Sequence, residues 1–146
     1  MRIVRLLLEA FGPFSDRTLA FGEPTAPGLC VVHGANEAGK SSALRAIRGL
    51  LYGIPHQTDD DFIHRQKDLR IAAELHFEGG LRGEVVRRKG LKGTLVGRDG
   101  PGAEVALRLE ALTQAVPEAV FSHFYGLDHR GLALGSRALL EDGGEL

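Results

Sequence analysis

Cysteine, methionine and tryptophan are almost absent from these 146 residues, with one, one and none, and the scarcity removes whole classes of function. A lone Cys30 cannot close an intramolecular disulfide, and its place in the apolar run Leu29–Val32 suits a small buried hydrophobe better than a redox thiol. No apolar run approaches the roughly 20 residues that cross a bilayer. The N-terminal MRIVRLLLEAF breaks its own hydrophobicity with Arg2, Arg5 and Glu9, so no secretory leader is read, and a cytoplasmic location without a membrane partner is expected. The six histidines show no metal-ligand spacing: His56 and His64 fall in a polar stretch, His76 in an alternating one, and His123 and His129 have no Cys or carboxylate cluster between them.

What is present is a core-forming composition, 43% hydrophobic and 25% charged, enough for one compact domain or one lobe of a larger one. The net charge of −1 is unevenly spread, with −1 over residues 1–61, +5 over 62–98 and −5 over 99–146. Arg87, Arg88, Lys89 and Lys92 form the densest basic group, and Arg65, Lys67 and Arg70 extend it. Such a group suits contacts to a nucleic-acid phosphate backbone, and it equally suits the solvated face of a hairpin.

The stretch GANEAGKSS, residues 34–42, carries the chemistry. Gly34, Gly39, Lys40 and Ser41 fall on G-x-x-x-x-G-K-[ST]. A Gly-rich turn at this spacing lets successive backbone N–H groups converge on a β-phosphate, and the positive end of the following helix points at the same place. Lys40 would reach the β- and γ-phosphates of ATP, Ser41 would give its hydroxyl to Mg²⁺, and Ser42 would touch the α-phosphate. The bare pattern arises by chance on the order of a percent of the time in so Gly-rich a chain, so context decides. Residues 28–33 (GLCVVH) read as a short buried strand before it, and SSALRAIRGLLY, residues 41–52, as a helix with Leu44, Ile47, Leu50 and Leu51 on one face.

Around this centre, residues 2–9 and 17–21 read as strands joined by the turn-rich FGPFSD. The polar stretch 53–69, with Asp59, Asp60 and Asp61, reads as an exposed, mobile connector. Residues 70–77 and 82–89 alternate as antiparallel strands around Glu78-Gly79-Gly80, with 93–98 a third, giving a basic β-meander over 70–98. After the DGPG turn at 99–102, ALRLEALTQA and PEAVFSHFYG read as two short helices, Pro117 suiting the first turn of the second, and 131–146 has helical apolar spacing interrupted by Gly131 and Gly135. The expected fold is α/β in the broad sense, an α+β lobe with an antiparallel meander beside a P-loop strand and helix.

A self-sufficient P-loop enzyme also needs a second acid at the end of an apolar strand. The nearest candidate is Asp128 after FYGL, followed by His129. Asn36 is the only asparagine, so no guanine-specifying NKxD exists, and no Leu-Ser-Gly-Gly signature is present. The nucleotide site reads as half built.

The opening MRIVRLLLEAFGPFSDRTLAF, the NEAGKSS form of the loop, GLLYGI, LRIAAELHF, VVRRKGLKGTL and the FYGLDHRGLALGSRALLEDGGEL tail together resemble the N-terminal ATPase lobe of YhaN-type proteins, in the SMC-like branch of ABC ATPases beside SbcC and the double-strand-break repair proteins. The resemblance implies that Gly34, Asn36, Glu37, Ala38, Gly39, Lys40, Ser41 and Ser42 bind ATP, with Glu37 standing where many such loops have Gly. It implies that Asp128 and His129 lie where relatives place a Mg²⁺-sensing glutamine; Gln66 is the nearest glutamine upstream. It places Phe11 and Phe14 where relatives bring backbone near the adenine or ribose, packing under the sheet being the alternative. It further implies a coiled coil following this lobe, a C-terminal lobe carrying the remaining motifs, a second head closing over ATP, DNA as a partner of the whole protein, and a possible partner nuclease. The chain would then be one N-terminal lobe over 1–146, binding ATP but hydrolysing it poorly alone. Two other readings stay open: a small self-contained P-loop kinase, and a DNA-binding module with a vestigial nucleotide site.

Overall fold

The computed structural model describes residues 1–22, 29–77, 82–98, 104–106 and 116–126. Two compact units are distinguished, Met1–Gln114 and Ala115–Leu146. In the first, strands β1 (Arg2–Phe11) and β2 (Phe14–Ala20) form a hairpin in which Phe11 pairs with Phe14. Only Gly12 and Pro13 are left to turn the chain, tighter than the six-residue FGPFSD loop read from the sequence. Gly12 takes the positive φ of +56° that the first turn position requires, and Pro13 follows with its fixed negative φ. Strands β3 (Arg70–His76), β4 (Arg82–Arg88) and β5 (Leu95–Arg98) agree with the expected meander to within a residue or two. A further strand, β6 (Glu104–Ala106), was not expected; three residues are too few for alternation to register in a sequence. The six strands form one antiparallel sheet in the order β2-β1-β3-β4-β5-β6.

Register explains the core. Leu6 lies opposite Ala73 and Leu8 opposite Ile71 across β1 and β3, while Ala73 lies opposite Val85 across β3 and β4, so these side chains share one sheet face. Helix α1 (Lys40–Tyr52) covers that face. On the other face Ala72, Val86 and Val96 pack with Leu7. Consecutive residues Ile71, Ala72 and Ala73 of β3 are therefore all buried, as in a strand covered on both sides.

Helix α1 turns a different stripe inward from the one its large apolar residues suggest. Ser42, Ala43, Ala46, Gly49, Leu50 and Leu51 are buried, while Leu44 and Ile47 sit half-buried on its flanks. The sheet supplies the bulk at this contact, through Leu6, Leu8 and Ile71, and the helix supplies small residues that let it approach. A Cβ on Gly49 would lie 3.3 Å from Ile71 Cδ1. Gly53, at φ +106°, ends the helix, its N–H donating to the Gly49 carbonyl.

The expected strand before the phosphate loop is not formed. Residues 29–35 are irregular, with Leu29 and Val31 92% and 73% exposed. Their apolar character fits a buried strand, but a strand also needs a neighbour to satisfy its N–H and C=O groups, and none of the six described strands pairs with this segment.

In the second unit, α2 (Glu118–Phe124) occupies the expected PEAVFSHFYG segment. Pro117 stands just before it in extended conformation, and the Phe121 and Tyr125 rings stack with centroids 6.3 Å apart. The Glu78-Gly79-Gly80 turn, the DGPG turn, most of the expected ALRLEALTQA helix, Asp128, His129 and the stretch 131–146 lie outside the described residues. No helix among the described residues is long and apolar enough to cross a membrane.

Candidate nucleotide-binding site

The phosphate loop is a strained turn leading straight into α1. Gly39 precedes the helix at φ +85°, and Glu37 adopts φ +65°, so two of three successive residues are left-handed. For Glu37 that conformation costs on the order of 1 kcal/mol, a cost Gly would avoid. Strain carried by a non-Gly residue is characteristic of functional loops. The Ala38 N–H closes the turn onto the Ala35 carbonyl at 3.3 Å. Lys40 folds back over it, its ammonium donating to the Gly34 and Ala35 carbonyls at 2.8 and 2.6 Å. Anionic phosphate oxygens are stronger acceptors than these neutral carbonyls and would draw the ammonium to themselves.

The N–H groups of Lys40, Ser41 and Ser42 open α1 and have no carbonyl one turn earlier in the helix to bind. They face a cleft of about 550 Å³ lined by Asn36, Glu37, Gly39, Lys40, Ser41 and Ser42, with Pro13 and Phe62 at its borders. This volume is ordinary for a small-molecule site. A second cleft of about 440 Å³ shares Pro13, Gly39 and Lys40 with the first and is bordered by Phe14, Val32 and His33. Ser41 is exposed, so its hydroxyl is available to a cation carried by a nucleotide. Among the described residues no group of three or more His, Cys, Asp or Glu forms a metal site. The protein's share of Mg²⁺ binding would fall to Ser41, with phosphate oxygens and water completing the shell. Ser42 departs from expectation: its side chain is buried and its hydroxyl accepts from Arg45 Nη2 at 3.0 Å. What Ser42 keeps for a phosphate is its backbone N–H.

The β1–β2 turn packs against the loop. A Cβ on Gly39 would lie 2.3 Å from Phe14 Cζ and 3.1 Å from Pro13 Cγ. Phe11 is buried, whereas Phe14 is half-buried against the loop. Gly39→Ala meets both this ring and an unfavourable φ, so a loss of about 1–3 kcal/mol of stability is expected, read from the urea midpoint, together with weaker nucleotide binding.

The connector over 53–69, expected to be an exposed mobile loop, is exposed along much of its length but anchored at several points. Asp60 is buried, and its carboxylate takes a two-pronged contact from Arg45, Nε to Oδ2 and Nη2 to Oδ1, each at 2.7 Å. Its carbonyl accepts from the Gly12 N–H at 2.8 Å, and its N–H donates to Thr58 Oγ1 at 3.2 Å. His64 Nε2 donates to the Phe14 carbonyl at 2.7 Å, and Lys89 donates to the carbonyls of Pro55 and His56. The connector thus holds both ends of the turn that touches Gly39. Arg45, Asp60 and Phe62 were not singled out from the sequence, where Asp59, Asp60 and Asp61 look alike; only the fold selects the middle one.

The expected basic group is broken at Arg87, while Arg65, Lys67 and Lys92 are exposed. Arg87 is buried, not on a nucleic-acid face: Nε and Nη2 donate to the Leu50 carbonyl at 3.0 and 2.8 Å, Nη2 to the Leu51 carbonyl at 3.2 Å, and Nη1 to Thr94 Oγ1 at 3.0 Å. Desolvation lowers its pKa to about 10, which leaves it charged at neutral pH. Lys89 is committed to the connector, and Arg70 lies 3.8 Å from Glu9. Of the four residues expected to form the densest basic group, Lys92 is exposed on the β4–β5 turn and Arg88 is half-buried. Gln66 is exposed in a short 3₁₀ turn, Gln66–Asp68.

A glycine-bounded loop, a lysine folded over it and open N–H groups at the start of the next helix have the form of a phosphate-binding loop. The chain belongs to the AAA domain family, whose model matches residues 1–146. It is also similar to the uncharacterized protein YhaN of Bacillus subtilis (strain 168), 38% identical over 55 residues that cover 38% of this chain and 5% of that protein's length. A nucleotide-binding ATPase domain is the reading these findings support.

Proposed function

We propose that this chain is the ATP-binding N-terminal part of a composite, SMC-like ATPase head that uses Mg²⁺ and serves DNA repair or DNA end processing. The phosphate loop with Lys40 in place is the observation that carries the ATP-binding reading. Support for a composite head comes from the apolar segment Leu29–Val32, which runs into the loop exposed and unpaired by any described strand. Another lobe could supply the missing neighbour and the acidic residue that activates water, while a second head would close over the nucleotide. DNA is the proposed partner of the whole protein, with the exposed Arg65, Lys67 and Lys92 as the basic residues to test, and a nuclease is a further proposed partner.

The test is ATP turnover, measured for the chain alone, with small-molecule phosphate acceptors, and after adding the C-terminal lobe of a YhaN-type protein. Turnover is expected only with the added lobe, and not in Lys40→Ala. Efficient phosphate transfer to a small acceptor by the chain alone would contradict the proposal and favour a self-contained kinase.

A further inference from the structure

Resting on ATP binding at the phosphate loop, we infer that Phe62 is the platform on which the nucleotide's base stacks. Phe62 is 64% exposed, yet its backbone is held on both sides. Two residues before it, Asp60 is clamped by Arg45 and by the Gly12 N–H; two residues after it, His64 is bonded to the Phe14 carbonyl. Folding therefore fixes a segment that carries a large apolar ring without burying the ring. Stability gains little from this ring, whose full burial would be worth about 1.5–3 kcal/mol.

The ring borders the same cleft as Asn36, Ser41 and Ser42. A triphosphate bound to the loop and helix start occupies one end of that cleft, and the attached nucleoside must leave along a wall. The adjoining cleft lined by Phe14, Val32 and His33 does not include Ser41 or Ser42. Phe62 thus provides an aromatic face in the cleft that also holds Ser42, whose backbone N–H is the one left for the α-phosphate, the phosphate that carries the nucleoside. A flat phenyl face recognises any purine or pyrimidine by stacking and carries no hydrogen-bonding group of its own, so Phe62 should increase affinity for nucleotides without choosing adenine over guanine.

Calorimetric titrations of the whole chain with Mg²⁺ and, separately, ATP, GTP and inorganic tripolyphosphate test this. Stacking on an aromatic side chain is worth about 1–3 kcal/mol per base, so Phe62→Ala should weaken ATP and GTP by about 5- to 150-fold. Tripolyphosphate affinity should change less than about twofold, and Phe62→Tyr should retain ATP binding, because the ring face is preserved. Unchanged ATP affinity in Phe62→Ala, or an equal loss for ATP and tripolyphosphate, overturns the platform while leaving nucleotide binding by the loop intact. If the wild-type chain binds tripolyphosphate but gains nothing from the nucleoside of ATP, the platform is also overturned. No saturable binding of ATP or tripolyphosphate by the wild type would instead remove the nucleotide site itself, and the platform with it.

Discussion

Alanine in place of Lys40 is expected to weaken ATP binding by about 100-fold or more while leaving the fold intact. Each hydrogen bond between a charged donor and an acceptor contributes about 1.5–3 kcal/mol, and a loop lysine able to reach two phosphates makes at least two. The same substitution removes only two exposed bonds, to the Gly34 and Ala35 carbonyls, from the ligand-free protein. Stability should therefore change by less than about 1 kcal/mol. Calorimetric titration with ATP and Mg²⁺, paired with thermal melting, separates the two effects. Equal losses in affinity and stability would mean that Lys40 holds the loop rather than the nucleotide.

Arg87→Ala should have the opposite profile, a large loss of stability with little direct effect at the phosphate loop. The guanidinium occupies the end of α1, where the last carbonyls of a helix have no intrahelical donor. It serves the Leu50 and Leu51 carbonyls and Thr94 at once, joining the helix to the sheet beneath it. Truncation leaves buried acceptors unsatisfied and opens a cavity, a loss of about 2–4 kcal/mol. For a chain of this size that corresponds to a fall in Tm of about 5–15 °C. Arg87→Met refills the volume without satisfying the carbonyls, so it should recover only part of the loss. The effect should not depend on pH over the neutral range. Burial lowers the Arg87 pKa to about 10, so the folded protein gives up this proton before the unfolded chain as pH rises, and linkage to pH begins only at strongly alkaline values. A midpoint shift that grew between about pH 6 and 8 would point to a different ionisation.

Much of this architecture was legible in the chain because its signals are local. Alternation over β3 and β4 and the glycine spacing of the phosphate loop each specify their structure within a few residues. What stayed hidden depends on partners distant in sequence. Helix α1 turns small residues inward because the sheet face opposite it is already bulky, a fact absent from residues 40–52 themselves. Arg87 looks like one more charge in Arg87-Arg88-Lys89, but its position opposite Ile71 directs it to the helix-covered face, while its neighbours are placed otherwise. Asp60 is distinguished from Asp59 and Asp61 only by Arg45 and Gly12. The segment Leu29–Val32 has the composition of a strand, but pairing requires a neighbour that no pattern inside the segment can provide. At the site, the sequence located the loop and its lysine, whereas the aromatic residue across the cleft had no motif to mark it.

The central claim is that a nucleotide's phosphates rest on the loop and on the first N–H groups of α1. Backbone amide resonances followed during titration of the chain with ATP and Mg²⁺ examine it residue by residue. The largest saturable shifts should fall on Gly39, Lys40, Ser41 and Ser42 and be lost in Lys40→Ala; saturable shifts centred elsewhere, or none at all, would contradict it.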